Sequence, residues 1–366
     1  MKFLIDIVFL HLRIVYFFMK FRKVNPNKIV MLSRQTAKPS MDFLMLKEEL
    51  IKQNNQAEVV ILNKMLNKNI KSMLGFYFHI YEQLWHMSNA YTIVVDTYCI
   101  PVSMFKHQKE TKVIQIWHSA GAIKKFGLQT LGSAGGRGAT LSKAMRMHEN
   151  YDVIVSSSEA MIPHFAQAFG CDEKQFVSIG LPRIDYLVNN EKKLQEAIYA
   201  KYPQLKEKPV VLYVPTFRRN RGLHVNEFFE KFNYEKYHLV FKHHPLFKTE
   251  IHDERILTIP EFSSLDLVTV ADKVISDYSA ISIEACALTK PLYLYLYDYD
   301  EYVSDVGVNI ELKEELKDVV CMTADSLIAC LDKEYAMEPL LAFKNKYLAY
   351  TDGTVTAKLA NLCWKR

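Results

Sequence analysis

Val113-Ile114-Gln115-Ile116-Trp117-His118-Ser119-Ala120-Gly121-Ala122 is an apolar, β-branched run that closes on an aromatic residue and a histidine, then breaks into small residues. The run reads as a short buried strand, and the small residues read as a turn opening at its carboxyl end. In open α/β sheets ligands sit at that end. A histidine delivered there, with Lys124 and Lys125 shortly after it, is placed to move a proton beside an anionic substrate. The same residues also fit a histidine satisfied within a strand–loop joint.

Outward from this stretch the pattern repeats. Strand-like runs at Lys28–Ser33, Glu58–Leu62, Thr92–Asp96, Lys112–Ile116, Asp152–Ser157 and Phe176–Gly180 are rich in Val and Ile, and helix-like segments such as Met41–Asn54 and Asn69–Met87 separate most of them. That alternation predicts a parallel sheet with helices on its faces. A charged helix over Asp185–Leu205 precedes a second series, with strands at Pro209–Val214, His238–Lys242, Lys273–Ser276 and Pro291–Leu296 and helices at Asn226–Phe232, Ala280–Leu288 and Ala324–Asp332. The expected organisation is a leader over 1–25, an α/β domain over 26–195, a second over 196–338 and a helical segment over 339–366 that folds back onto the first domain.

The chain has 366 residues, enough for two cores. Its six cysteines are scattered with no CxxC pair, which argues against a zinc site or a disulfide framework. The net charge is +5, and residues 1–30 hold six bases against Asp6, so that segment carries the whole excess. A neutral body with a basic leader is unlike a nucleic-acid binder and suits a protein that meets an anionic membrane through one end. Lys2, Asp6, Arg13 and Lys20 fall within roughly 40° of one another on a helix. We expect a helix lying at the membrane surface; docking on the first domain and a true span are the alternatives. No small-residue cleavage site follows, so a signal peptide is not expected.

Four further motifs follow strand-like runs. Lys242-His243-His244-Pro245 places a histidine pair at a strand end, where phosphate contact by Lys242 or His244 is better motivated than metal binding. Ser276-Asp277-Tyr278-Ser279-Ala280 makes Ser279 a candidate N-cap, with the free N–H groups of a helix start nearby. Glu284 lies in the same expected helix, where it could accept from ribose hydroxyls or simply face solvent. Arg183 in Gly180-Leu181-Pro182-Arg183 and Arg218 in Pro215-Thr216-Phe217-Arg218 offer guanidinium forks for phosphate, or plain loop structure. Gly132–Gly138 reads as a surface loop or a lid. No Walker lysine motif is present, so ATP hydrolysis is disfavoured. Strand ends carrying histidine, arginine and hydroxyl groups suit a cleft for a phosphorylated, nucleotide-linked donor.

The ordered set Gln115–Gly127, Gly180–Asp185, Tyr213–Arg218, Lys242–Pro245, Ser276–Ala280, Lys290-Pro291-Leu292-Tyr293 and Tyr297-Asp298 resembles the CDP-glycerol glycerophosphotransferase family of teichoic acid primases and polymerases. The resemblance implies a GT-B fold, two Rossmann-like domains around a central cleft. It implies transfer of glycerol phosphate or ribitol phosphate from CDP-glycerol or CDP-ribitol to an undecaprenyl-linked acceptor, with release of CMP, at the cytoplasmic face of the membrane. No metal or cofactor is expected. On this resemblance His118 is the general base and His244 stabilises charge on the departing CMP. Arg183, Thr216, Phe217, Lys242, His243, Ser279, Ala280 and Glu284 line the donor pocket, with Ser119, Lys124, Lys125 and Arg218 as further acceptor or phosphate contacts. Three positions depart from the family's pattern: Ala280 replaces a second hydroxyl, Glu284 a frequent aspartate, and Ser119–Ala122 a Gly-Thr-Pro form. The rival readings are a GT-B glycosyltransferase using a UDP-sugar and a non-catalytic membrane scaffold.

Overall fold

The computed structural model describes residues 2–66, 69–132, 138–216, 218, 225–243 and 251–365, the first five by backbone alone. Two parallel six-stranded sheets form the framework. The first contains β1 (Asn25–Ser33), β2 (Glu58–Asn63), β3 (Ala90–Val95), β4 (Lys112–Gln115), β5 (Val153–Ser156) and β6 (Phe176–Ser178) in the order β2-β1-β3-β4-β5-β6. The second contains β7 (Val210–Tyr213), β8 (His238–Phe241), β9 (Ile256–Leu257), β10 (Lys273–Ser276), β11 (Leu292–Tyr295) and β12 (Val320–Cys321) in the order β12-β11-β10-β7-β8-β9. Each order reverses direction at an inner strand, the arrangement that opens a crevice at the carboxyl edge.

The central strands are apolar on both faces because helices cover both faces. Ile29, Val30, Met31 and Leu32 of β1 are fully buried, as are Val211 and Leu212 of β7. Register places Val30 beside Ile93 and Leu212 beside Val274. The strand at Lys273–Ser276 has its expected limits, and the other expected strands lie within three residues of theirs. The two-residue strands β9 and β12 were not anticipated; a two-residue edge carries no periodicity to read.

The helix Pro182–Lys201 joins the lobes. Its Tyr186 hydroxyl donates to Asp266 Oδ1 (2.7 Å) and its Gln195 Nε2 to the Thr269 carbonyl (2.7 Å), both in the second lobe. The final segment forms two helices, Met337–Tyr347 and Val355–Trp364, and returns to the first lobe as expected. Leu359, Ala360 and Cys363 pack with Ile29 and Met31, and the buried Asp185 carboxylate accepts from Val355 N, Thr356 N and the Thr356 hydroxyl (3.1, 2.6 and 2.7 Å).

The leader is a helix over Lys2–Met19. It docks on the first lobe through Leu12 and Tyr16, both buried, which is the alternative weighed against membrane contact. Leu10, Ile14, Phe17 and Phe18 point outward on another side, with Phe21 just beyond. The helix Ile70–Met87 lies against it, with His11 Nε2 2.9 Å from the Tyr81 hydroxyl, and exposes Ile70, Met73, Leu74, Phe78 and Trp85. Among the described residues, no helix is long and apolar enough to cross a membrane.

Candidate active site

The sequence motifs follow the carboxyl ends of β4 and β6 in one lobe and of β7, β8 and β10 in the other. His118 follows β4, and a backbone irregularity places it. Trp117 has φ 58, a left-handed conformation that a bulky residue adopts only at a cost of about 1 kcal/mol or more. Its indole is held by a stack on Phe126 (centroids 4.6 Å apart) and edge contacts with Phe169 (5.3 Å) and His148 (6.1 Å). The reversed turn presents His118, whose Nδ1–H donates to the Asp96 carbonyl (3.0 Å). That bond assigns the proton to Nδ1 and leaves the Nε2 lone pair for a substrate.

Burial pushes the His118 imidazole down to about 4, with the Asp96 carbonyl opposing and Arg183 and Lys124 adding to the depression. The folded site thus favours the neutral imidazole, the form that accepts a proton. Asp96 follows β3 and is itself buried, with neither carboxylate oxygen in a well-formed hydrogen bond. Burial holds it up to about 6, although Ser33 and Thr97 favour its ionised form.

Arg183 has a different setting from an open phosphate fork. Its Nε donates to Asp42 Oδ2 (3.0 Å), its Nη2 also meets Asp42, and its Nη1 donates to Glu284 Oε1 (2.9 Å). Asp42 belongs to the first lobe and Glu284 to the second, so the guanidinium is a bridge between lobes. Burial opposes its charge, but the two carboxylates more than offset this and keep it protonated. Glu284 is buried rather than solvent-facing and also receives the Ala120 N–H (3.4 Å). Its Oε1 is therefore engaged by protein groups from the first lobe.

A second bridge follows His118. Asn309 N donates to the Ile123 carbonyl (2.7 Å), Lys125 N to the Gly307 carbonyl (3.1 Å) and Asn309 Nδ2 to the Lys124 carbonyl (3.2 Å). Lys124 and Val308 thus form an antiparallel bridge across the lobes. Gly121 allows the approach: a Cβ there would lie 2.2 Å from Ile283 Cδ1. Ser119 folds its hydroxyl onto the Gly121 carbonyl (2.6 Å), and the Lys125 side chain is exposed. The Lys124 ammonium lies between the halves. Burial lowers its pKa, Asp277 and Arg218 act on it from the second lobe, and its own charge reaches His118.

On the second lobe, Arg218 is buried rather than part of an open basic loop. Its Nε donates to Asp298 (2.6 Å), its Nη2 lies 3.0 Å from Asp277, and its Nη1 donates to the Thr216 carbonyl (2.9 Å). Asp277 in turn accepts from Thr216 N (2.9 Å). This network fixes the turn after β7, and among the described residues the buried Thr216 hydroxyl has no hydrogen-bond partner, a polar atom that a ligand oxygen would satisfy. Lys242 gives its ammonium to the Ile259 and Pro260 carbonyls (2.8 and 3.3 Å), and His243 is half-buried. Ser279 does not cap: the helix starts at Ile281, Ala280 holds the cap position with no side-chain bond, and the α-helical part ends at Glu284 before a 3₁₀ turn, Ala285–Leu288. Ser279 and Ala280 sit half-buried in the tight turn before it. Phe217 and His244 lie outside the described residues.

Asp42, Asp96, Asp277, Asp298 and Asn309 were given no role from the sequence. Asp42 and Arg183 are 141 positions apart, and no local pattern links them. Asp277 and Asp298 stood inside quoted motifs, but an acid in a loop gives no sign of which arginine it meets. Among the described residues no cluster of three or more His, Cys, Asp or Glu could hold a metal ion.

The family described as CDP-Glycerol:Poly(glycerophosphate) glycerophosphotransferase matches residues 14–365. The teichoic acid ribitol-phosphate primase of Bacillus spizizenii is 27% identical over 354 residues, covering 92% of this chain and 91% of that protein. The teichoic acid glycerol-phosphate primase of Bacillus subtilis is 27% identical over 293 residues, covering 77% and 76%. A histidine variant of the wall teichoic acid polymerase TagF soaked with CDPG superposes with a TM-score of 0.75 at 19% identity, over 96% of this chain and 92% of that one. At that identity the superposition speaks for the fold.

Proposed function

This chain belongs to the CDP-glycerol:poly(glycerophosphate) glycerophosphotransferase family, and from that premise we propose that it transfers glycerol phosphate or ribitol phosphate from a CDP-alditol to a hydroxyl of a lipid-linked teichoic-acid-type polymer, releasing CMP. The observation that carries the reading is His118: a buried imidazole, its Nδ1–H committed to the Asp96 carbonyl, just past the carboxyl end of β4.

In the proposed step His118 Nε2 takes the proton from the acceptor hydroxyl as its oxygen attacks the donor's β-phosphorus in line. The bond from that phosphorus to the bridging oxygen breaks, and CMP leaves with the electron pair. The Lys124 ammonium offsets charge growing on the phosphates. The Thr216 hydroxyl, the Ser279–Ala280 turn and the Lys242–His243 strand end line the donor side, joined by Phe217 and His244 from the family resemblance. Arg183 and Glu284 act as positioning residues that hold the lobes together over the donor. CDP-alditol is a substrate, so the step draws on no cofactor.

We assign the protein to a peripheral position on the cytoplasmic face of the membrane. Support comes from the adjoining outward faces of helices Lys2–Met19 and Ile70–Met87, where Phe17, Phe18, Phe21, Ile70 and Phe78 are each more than half exposed. Apolar surface of that extent, flanked by the basic residues Arg13, Arg22 and Lys23, suits an anionic lipid surface.

The deciding assay incubates the purified protein with CDP-glycerol or CDP-ribitol and a synthetic lipid-linked acceptor, scoring CMP release and product length. CMP appearing only with acceptor supports the transferase. Release of UMP or UDP from UDP-sugars instead, or no turnover of any nucleotide, favours the glycosyltransferase or the scaffold.

A further inference from the structure

We propose that a cavity of about 580 Å³ in the first lobe, between helix Ala139–Ala144 and the end of helix Ile162–Phe169, binds the phosphate-bearing, hydroxyl-rich head of the membrane-borne acceptor. The assignment rests on the transferase reading above and gives the acceptor a place to lie. Its volume is that of a small-ligand site.

The lining offers three kinds of group. Lys143 is exposed at the rim, a cation suited to a phosphodiester, while the half-buried Arg146 gives its Nε to Glu149 (2.6 Å), and the Glu149 and Asp172 carboxylates also line the wall. Ser142 lines the cavity with its hydroxyl buried and with no hydrogen-bond partner among the described residues, and a ligand hydroxyl or phosphate oxygen would supply one. Leu128, Met147 and Phe169 provide apolar surface for the carbon faces of a sugar or alditol.

The wall is built at a conformational cost. Arg146, His148 and Asn150 have φ of 46, 67 and 68, three left-handed non-glycine residues at alternate positions. Asn150 Nδ2 pins the segment by donating to the Val102, Ser103 and Phe105 carbonyls (3.1, 3.0 and 3.0 Å). Strain maintained by such specific bonds marks a segment whose shape is used.

Position gives the ligand its class. On one side Asn150 holds the Phe105 carbonyl, and the Phe105 ring meets Phe9 and Tyr16 of the leader helix (6.2 and 5.9 Å). On the other, His148 and Phe169 touch Trp117, the residue before His118. Through these contacts the cavity wall is packed against both the helix proposed to touch the membrane and the residue beside the proposed base. On the transferase reading a lipid-anchored acceptor approaches from the leader-helix side, and the CDP-alditol is assigned to the other lobe.

Cys171 lines the cavity and is half-buried, and Cys330 is half-buried in the second lobe, which supplies a probe and an internal control. The experiment measures alkylation of both thiols in the full chain by mass spectrometry, with N-ethylmaleimide at pH 8.5. The probes are saturating CDP-glycerol and a synthetic acceptor made of a sugar phosphate with one glycerol phosphate unit and a short alkyl tail. The expected result is at least fivefold slower alkylation of Cys171 with the acceptor, no slowing with CDP-glycerol, and an unchanged Cys330 rate. Lys143→Glu, at an exposed position, should raise the acceptor KM at least tenfold and leave the CDP-alditol KM within twofold. An unchanged Cys171 rate with acceptor, or equal protection by CDP-glycerol, overturns the site. Alkylation reads binding without turnover, so absence of CMP release counts against the transferase, while turnover without protection counts against the cavity alone.

Discussion

The charge state of His118 gives the sharpest test of the site. Burial places its pKa at about 4, against 6.5 for an ordinary imidazole, a difference worth about 3 kcal/mol. A general base must be neutral to act. At pH 5.5 an imidazole of pKa 6.5 would be only about a tenth neutral, whereas one of pKa about 4 would be almost wholly neutral. We therefore expect kcat/KM with CDP-alditol to stay within twofold from pH 7.5 to 5.5 and to fall only on approach to pH 4. The kcat limb should lie higher, because the donor's phosphates favour imidazolium once bound. Asp96, held up to about 6, titrates in the same range, and the Asp96→Asn variant removes it from the profile. The same shift has a stability consequence. Between pH 6.5 and 4 the unfolded chain binds a proton at this position that the native protein refuses, so the native state loses stability as pH falls through that window. His118→Gln should lower kcat by about 10²–10⁴-fold and flatten that part of the urea-stability profile. A kcat/KM profile of wild type and Asp96→Asn that is half-maximal near pH 6.5 would refute the account of burial, and an active His118→Gln enzyme would refute the base assignment.

Other perturbations test the framework. Arg183→Met leaves Asp42 and Glu284 as buried carboxylates without their cation and should destabilise the protein by about 3–5 kcal/mol in urea titration; if the loss is under 1 kcal/mol, the bridge does not hold the lobes. Asp185→Ala removes the acceptor for two backbone N–H groups and a hydroxyl at the start of the last helix, a cost of about 2–4 kcal/mol, and amide exchange should rise first over Val355–Trp364. Phe18→Glu together with Phe78→Glu, both on exposed faces, should abolish sedimentation with anionic vesicles while leaving CMP release on a soluble acceptor within twofold. Vesicle binding that survives the pair removes these helices from the membrane contact.

The alternation of Val- and Ile-rich runs with helical segments was enough to fix two parallel α/β lobes, because a strand covered on both faces must be apolar along its length, as Ile29–Leu32 and Val210–Tyr213 are. The motifs were legible for the same reason: strand ends are local features, and the carboxyl edge of a parallel sheet collects them. What each group does there was decided by partners far away in the chain. Arg183, read as a phosphate fork, meets Asp42 and Glu284; Arg218 meets Asp277 and Asp298; and Ser279 loses its cap because the helix begins two residues later. The depressed His118 likewise follows from burial between two lobes, together with the left-handed turn at Trp117. Periodicity and turn chemistry act over a few residues, so the sequence carries them openly. Desolvation and charge pairing depend on which surfaces meet after folding, and only the tertiary structure brings those surfaces together.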